Sequence, residues 1–305
     1  MAVESVSIEQ GQQSNSVFQD WYVPLTGLGQ IMFQGSPLTG AFFLTGIALV
    51  SPLVAAGAVA GSVIGTVTAY VLDYDRDEIR NGIYGFNSAL VGIALLAREQ
   101  PQLLTFGLIL VGSIVATLLT YAMSRRLPVP CYTAPFIVTT WVALYIAHEF
   151  KIPDVVASPY VQAEKLDMAA AVVRGISEVM FQTSVLTGVL FIVGILLCSW
   201  RCAFWAMIGS LVGLLTGLSH EAPEANLSLG IYGYNAALAA MGLALYRRSV
   251  MLPIVGALMS VPFTEKIPLL GLPTLTSPFV LASWIVIAMD RLDVRLFGTQ
   301  QNPSN

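Results

Sequence analysis

The chain has 305 residues, of which 56% are apolar and 10% charged, with a formal net charge of −4. Soluble domains carry about 25% charged residues, and one water-soluble core cannot bury this much apolar surface. The composition excludes a soluble globular domain and predicts an all-α polytopic membrane protein.

Residues 1–20 (MAVESVSIEQGQQSNSVFQD) form a polar, acidic tail with no basic start and no apolar run. No cleaved signal peptide is expected, so the first spanning helix directs insertion. Residues 21–148 open on the phrase GLGQIMFQGSPLTG (27–40), then carry apolar segments expected to span near 39–57, 58–72, 84–97, 103–123 and 132–148. The longest approach or reach the roughly 20 residues that cross a bilayer. Between the second and third, DYDRDE (73–78) reads as a solvated loop. Residues 149–170, with EFKIPD and AEKLD, read as a polar linker. Residues 171–295 follow, with spans near 184–199, 202–218, 231–246, 250–263 and 275–289, and residues 296–305 are a polar tail.

The two apolar halves are copies of each other. GIYGFNSALVGIAL (82–95) returns as GIYGYNAALAAMGL (230–243), identical at eight of fourteen positions. GLGQIMFQGSPLTG (27–40) returns as GISEVMFQTSVLTG (175–188), also 148 residues on, and VPCYTAPF (129–136) returns as LPTLTSPF (272–279), 143 residues on. Three phrases in the same order make two homologous repeats, 21–148 and 171–295.

Five crossings per copy leave the chain on the opposite face, so the second copy enters upside down. That is an inverted repeat with a pseudo-two-fold axis in the membrane plane. With the N-terminus inside, nine arginines fall on inside loops (76, 80, 125, 126, 201, 247, 248, 291 and 295). Five cations fall outside (Arg98, Lys151, Lys165, Arg174 and Lys266). The bias predicts both termini in the cytoplasm.

The phrases at 27–40 and 175–188 are too short to cross together with the span that follows, so each predicts a re-entrant or half helix. The P-x-x-T-x-P-F phrases place prolines around a threonine, and proline removes a backbone donor and clashes with the preceding turn. Irregular backbone at membrane depth is tolerated where it is buried in protein or lines a cavity, and matched interruptions in two halves point to a transport site. The recurring residues there are Gln30 and Glu178, Phe33 and Phe181, Phe86 and Tyr234, Asn87 and Asn235, and Thr133 and Thr276. Leu90 and Leu238 follow the aromatics by four residues, on the same helical face. Aromatic slots with oxygens along one edge suit a small flat solute with many in-plane N–H donors, since oxygens accept what the solute donates.

These phrases resemble those of the urea transporter family, whose L-P-x-x-T signature is similar to V-P-C-Y-T-A-P-F and L-P-T-L-T-S-P-F. The G-I-Y-G-F-N phrase and the duplicated organisation match as well, over roughly residues 20–295. The resemblance implies a channel-like facilitator of urea, two inverted halves with a pore at their interface, and a homotrimer in a bacterial inner membrane. It implies no enzymatic activity, no cofactor, no metal and no nucleic-acid partner; the partners are urea, small urea analogues and membrane lipid. Carried over by motif, the slots are Phe33, Phe86, Phe181 and Tyr234, narrowed by Leu90 and Leu238. The acceptors are Gln30, Glu178, Thr133 and Thr276, with Val179 beside Glu178. Two departures stand out: the first threonine phrase begins V-P rather than L-P, and Tyr234 replaces the family's usual phenylalanine, bringing a hydroxyl that needs a partner.

Bland readings stand beside these. The aromatics can be core or lipid-facing, Tyr84 and Tyr232 can be packing, and Asn87 and Asn235 can bond across helices as polar glue. Glu178 is an ionisable group in apolar sequence and therefore a site candidate, with the membrane edge as its alternative. His148 and His220 sit at segment ends beside Glu149 and Glu221, which reads as interfacial solvation. Cys131, Cys198 and Cys202 have neither disulfide nor zinc spacing. An ion-coupled transporter of a small amide or nucleobase is the alternative function; an intramembrane enzyme would need a nucleophile with a base, or a metal cluster.

Overall fold

The computed structural model describes residues 20–155 and 166–297. Most of the expected N-terminal tail, part of the linker and most of the C-terminal tail lie outside the described residues. The first repeat comprises α1 (Val23–Gln30), α2 (Pro37–Val50), α3 (Pro52–Val71), α4 (Arg76–Arg80), α5 (Phe86–Arg98), α6 (Leu103–Arg126) and α7 (Ala134–Glu149). The second comprises α8 (Met168–Glu178), α9 (Val185–Cys198), α10 (Trp200–Ser219), α11 (Glu224–Ser228), α12 (Gly233–Tyr246), α13 (Met251–Lys266) and α14 (Ser277–Phe297). Among the described residues the fold is all-α, and α3, α6 and α10 are long and apolar enough to cross a membrane unaided.

The repeats are inverted, and the pairing of α2 with α9 demonstrates it. Thr39 Oγ1 donates to the Gly194 carbonyl at 2.8 Å, the rings of Phe43 and Phe191 lie 4.7 Å apart, and Thr187 Oγ1 donates to the Gly46 carbonyl at 2.9 Å. As the chain advances along α2 its partner retreats along α9, so these equivalent helices run antiparallel. Each contact is the mirror of another in the duplicate, the signature of a two-fold axis passing between Phe43 and Phe191.

Local chemistry sets the element ends. α1 and α8 have 8 and 11 residues, about 12 and 16 Å at the usual rise, so neither crosses. After each, one aromatic takes a left-handed conformation (Phe33 φ 63°, Phe181 φ 59°), and Ser36 or Ser184 caps the next helix. The short helices are pinned from the side: Ser62 Oγ donates to the Pro24 carbonyl and Ser210 Oγ to that of Val172, both at 2.8 Å. A Cβ built on Gly40 would lie 1.8 Å from the Leu25 carbonyl oxygen, so only glycine lets α1 fold back on α2.

One expected boundary is corrected. Spans at 39–57 and 58–72 become 37–50 and 52–71, because Ser51 ends one helix and caps the next while Pro52 occupies its first turn. The apolar run passes unbroken through this junction, which conceals it from hydropathy. The change of offset from 148 to 143 also has a structural origin. α6 and α13 start in register, but α6 continues to Arg126, whereas α13 contains Pro262, stops at Lys266 and passes into a 3-10 turn at Ile267–Leu270. The start of the expected linker is structured too: Gln100 N donates to the Pro153 carbonyl at 2.9 Å and Val155 N to that of Arg98 at 2.7 Å.

Candidate functional site

The two threonine phrases fold as irregular loops that enter the bundle and start α7 and α14. Tyr132 and Leu275, just before the threonines, take left-handed φ values of 48° and 45°. Two asparagines hold these kinks. Asn87 Oδ1 accepts from Phe136 N at 3.3 Å while its Nδ2 donates to Thr120 Oγ1 at 2.9 Å and to the Tyr132 carbonyl at 3.4 Å. Asn235 Oδ1 accepts from Phe279 N at 3.1 Å and its Nδ2 donates to the Leu275 carbonyl at 3.3 Å. Both are fully buried, so the asparagines act as polar fasteners between helices.

Each repeat also grips the loop of the other. Trp141 Nε1 donates to the Pro273 carbonyl and Trp284 Nε1 to that of Pro130, both at 2.8 Å. Between these clamps, Thr133 Oγ1 and Thr276 Oγ1 meet at 2.7 Å, and both threonines are buried. The tryptophans were missed by motif reasoning. Their signal was present, since F-I-V-T-T-W (136–141) and F-V-L-A-S-W (279–284) share the 143-residue offset.

The two sides of the threonine pair differ. On one, a cavity of about 170 Å³ is lined by Glu178, Val179, Phe181, Tyr234 and Thr276, with Arg98 and Leu275 among the other walls. It thus gathers five residues singled out from sequence. Its volume is roughly that of five or six liquid waters. Arg98, assigned by sequence to an outer loop, lines this cavity together with Glu178. The Tyr234 hydroxyl donates to the Leu275 carbonyl at 2.6 Å, supplying the partner that its burial demands.

On the other side, Phe33 packs edge-on against Tyr132 and Phe279, with ring centroids 6.0 and 6.1 Å away, and those two rings lie 4.8 Å apart. The Tyr132 hydroxyl is buried with no partner among the described residues. Phe86 is half-buried at the start of α5, and Leu90 and Leu238 are fully enclosed in the core.

The equivalent residues Gln30 and Glu178 diverge. Gln30 Nε2 donates to the Asn81 carbonyl at 2.8 Å. Glu178 makes no such bond. Its Oε2 is buried and unpartnered among the described residues. A change of one atom in the duplicated design replaces a hydrogen-bonded amide with an unpartnered oxygen.

A family model described as "Urea transporter" matches residues 22–291. Urea transporter 1 of Ovis aries is 27% identical over 297 residues, covering 89% of this chain and 77% of the relative. Urea transporter 1 of Capra hircus and of Rattus norvegicus are likewise 27% identical, with the same coverage. The match spans both repeats and both threonine loops, and the chain therefore belongs to the urea transporter family.

Proposed function

We propose that the chain is a passive, channel-like conduit that carries urea by facilitated diffusion along the axis on which the two repeats meet. Transport of urea across a membrane follows from the family, and the chain is not an enzyme. The observation that carries the passive reading is the Thr133–Thr276 hydroxyl pair at 2.7 Å, of which Thr276 lines a cavity together with Glu178, Phe181 and Tyr234.

The chemistry is exchange of hydrogen bonds. Urea has four N–H donors and one carbonyl in a plane, and stripping it of water without replacement costs several kcal/mol. The Glu178 carboxyl group, the threonine hydroxyls and loop carbonyls offer acceptors in succession, while Phe181 and Tyr234 offer flat faces to the molecular plane. Phe33 and Phe86 would do the same on the opposite side, with Leu90 and Leu238 behind the constriction and Gln30 at its entrance. Each protomer of a homotrimer would hold one such conduit. The arginine bias supports an inner-membrane protein with both termini cytoplasmic.

Stopped-flow light scattering on proteoliposomes tests the proposal. Urea entry is expected to be rapid, unaffected by a protonophore, and much faster than glycerol entry. Dependence on a proton or sodium gradient would replace it with ion-coupled transport of a small amide or nucleobase.

A further inference from the structure

A second, larger cavity lies away from the conduit, at the arginine-rich end of the bundle. Its volume is about 410 Å³, and its walls include Ser199, Arg201, Trp205, Tyr246, Arg247 and Arg248. It sits where α9 breaks into α10 and where α12 ends. Arg247 is anchored by Asp290 at 2.6 Å, and the Tyr246 hydroxyl donates to the same carboxylate at 3.3 Å. No carboxylate among the described residues pairs with Arg201 or Arg248.

The duplicated fold supplies an internal control. At the 148-residue offset, Arg201, Arg247 and Arg248 correspond to Leu53, Glu99 and Gln100 on the opposite membrane face. The same junction of helices therefore carries three guanidiniums at one end of the molecule and one at the other, Arg98 in the place of Tyr246. Shared architecture explains the crevice, but it does not explain its charge. Leu245 of its lining is 57% exposed, and Trp200 and Phe204, chain neighbours of the lining residues Arg201 and Trp205, are 68% and 50% exposed. Tryptophan and its aromatic neighbours favour the headgroup level. A basic hollow at that depth, bordered by surface suited to acyl chains, matches an anionic lipid rather than a soluble anion.

We propose that this cavity binds the phosphate of an anionic phospholipid headgroup, held by Arg201 and Arg248 with Arg247 oriented by Asp290, while the acyl chains lie over Trp200, Phe204 and Leu245. Guanidinium forks suit phosphate oxygens because they donate two parallel N–H bonds. The site serves the bilayer and is independent of the conduit.

Native mass spectrometry of the purified chain in detergent, titrated with phosphatidylglycerol or phosphatidylcholine, provides the test. Phosphatidylglycerol adducts are expected to persist where phosphatidylcholine adducts dissociate. Arg201→Gln and Arg248→Gln should each lower occupancy about fivefold, whereas Arg126→Gln on the same face should leave it unchanged. Arg201→Lys, which keeps the charge, should retain most of the binding, and unchanged thermal unfolding midpoints would show that the variants fold. Equal retention of both lipids, or an equal loss in Arg126→Gln, overturns the site. Displacement of the lipid by millimolar inorganic phosphate overturns the headgroup as its occupant.

Discussion

Thr133 and Thr276 are 143 residues apart in sequence and 2.7 Å apart at their hydroxyls, one contributed by each repeat. The contact closes the fold across its pseudo-two-fold axis, and it puts two alcohols where the interrupted helices α7 and α14 begin. Replacing one partner leaves the other buried without its bond, at a cost of about 1–3 kcal/mol. Thr133→Val should therefore lower the thermal midpoint in detergent, and Thr133→Val with Thr276→Val should lose less than the sum of the single changes. All three variants should carry urea more slowly. Strict additivity would mean that the two hydroxyls are not coupled.

Glu178→Gln places in the second repeat the residue that the first has at position 30. The new amide can donate to backbone as Gln30 does to Asn81, so stability should be kept or improved. Urea flux should fall about tenfold, the scale of one lost hydrogen bond. Stopped-flow rates equal to those of the parent would remove Glu178 from the solute path.

Tyr234→Phe restores the aromatic type found at position 86. It removes the bond to the Leu275 carbonyl and leaves that oxygen free for a passing N–H. The expected result is a small loss of stability, about 1 kcal/mol, with urea flux maintained or raised. A severalfold drop in flux would assign the hydroxyl itself to the solute.

The Glu99 carboxyl, in the loop joining α5 and α6, is pushed above the ordinary carboxylate range. Burial is the main cause and Asp154 adds to it, against the opposing pull of Arg98 and His148. The folded state therefore holds this proton more tightly than the unfolded chain, and stability decreases as pH rises through the raised value. Acidifying from neutral toward the ordinary carboxylate range should raise the thermal midpoint. Glu99→Gln should be more stable than the parent at neutral pH and should flatten that part of the pH profile. An unchanged profile would relocate the titration to another group.

Much of the architecture was legible because apolar runs and repeated phrases are local. The apolar runs, the duplicated phrases and the paired prolines gave the order of the spans and the half helix of each repeat, though not the short helices α4 and α11, and the odd count per repeat gave the inversion that α2 and α9 display. The Ser51–Pro52 junction was misplaced because hydropathy averages across a single-residue break. The asparagines were ambiguous for a related reason: a buried amide reads alike as solute contact or fastener until its partners are known. Trp141 and Trp284 were overlooked because their partners are proline carbonyls in the opposite repeat, and a backbone acceptor has no side-chain signature.

The sequence by itself determined a duplicated, membrane-embedded helical protein, because hydrophobic length and internal repetition are properties of the chain read in one dimension. Only the tertiary structure decided that Thr133 touches Thr276, that Gln30 is satisfied where Glu178 is not, and that Arg98 lines the same cavity as Glu178. Those facts depend on how two copies related by inversion close against each other. Small departures from symmetry become chemical differences only when equivalent positions face different surroundings.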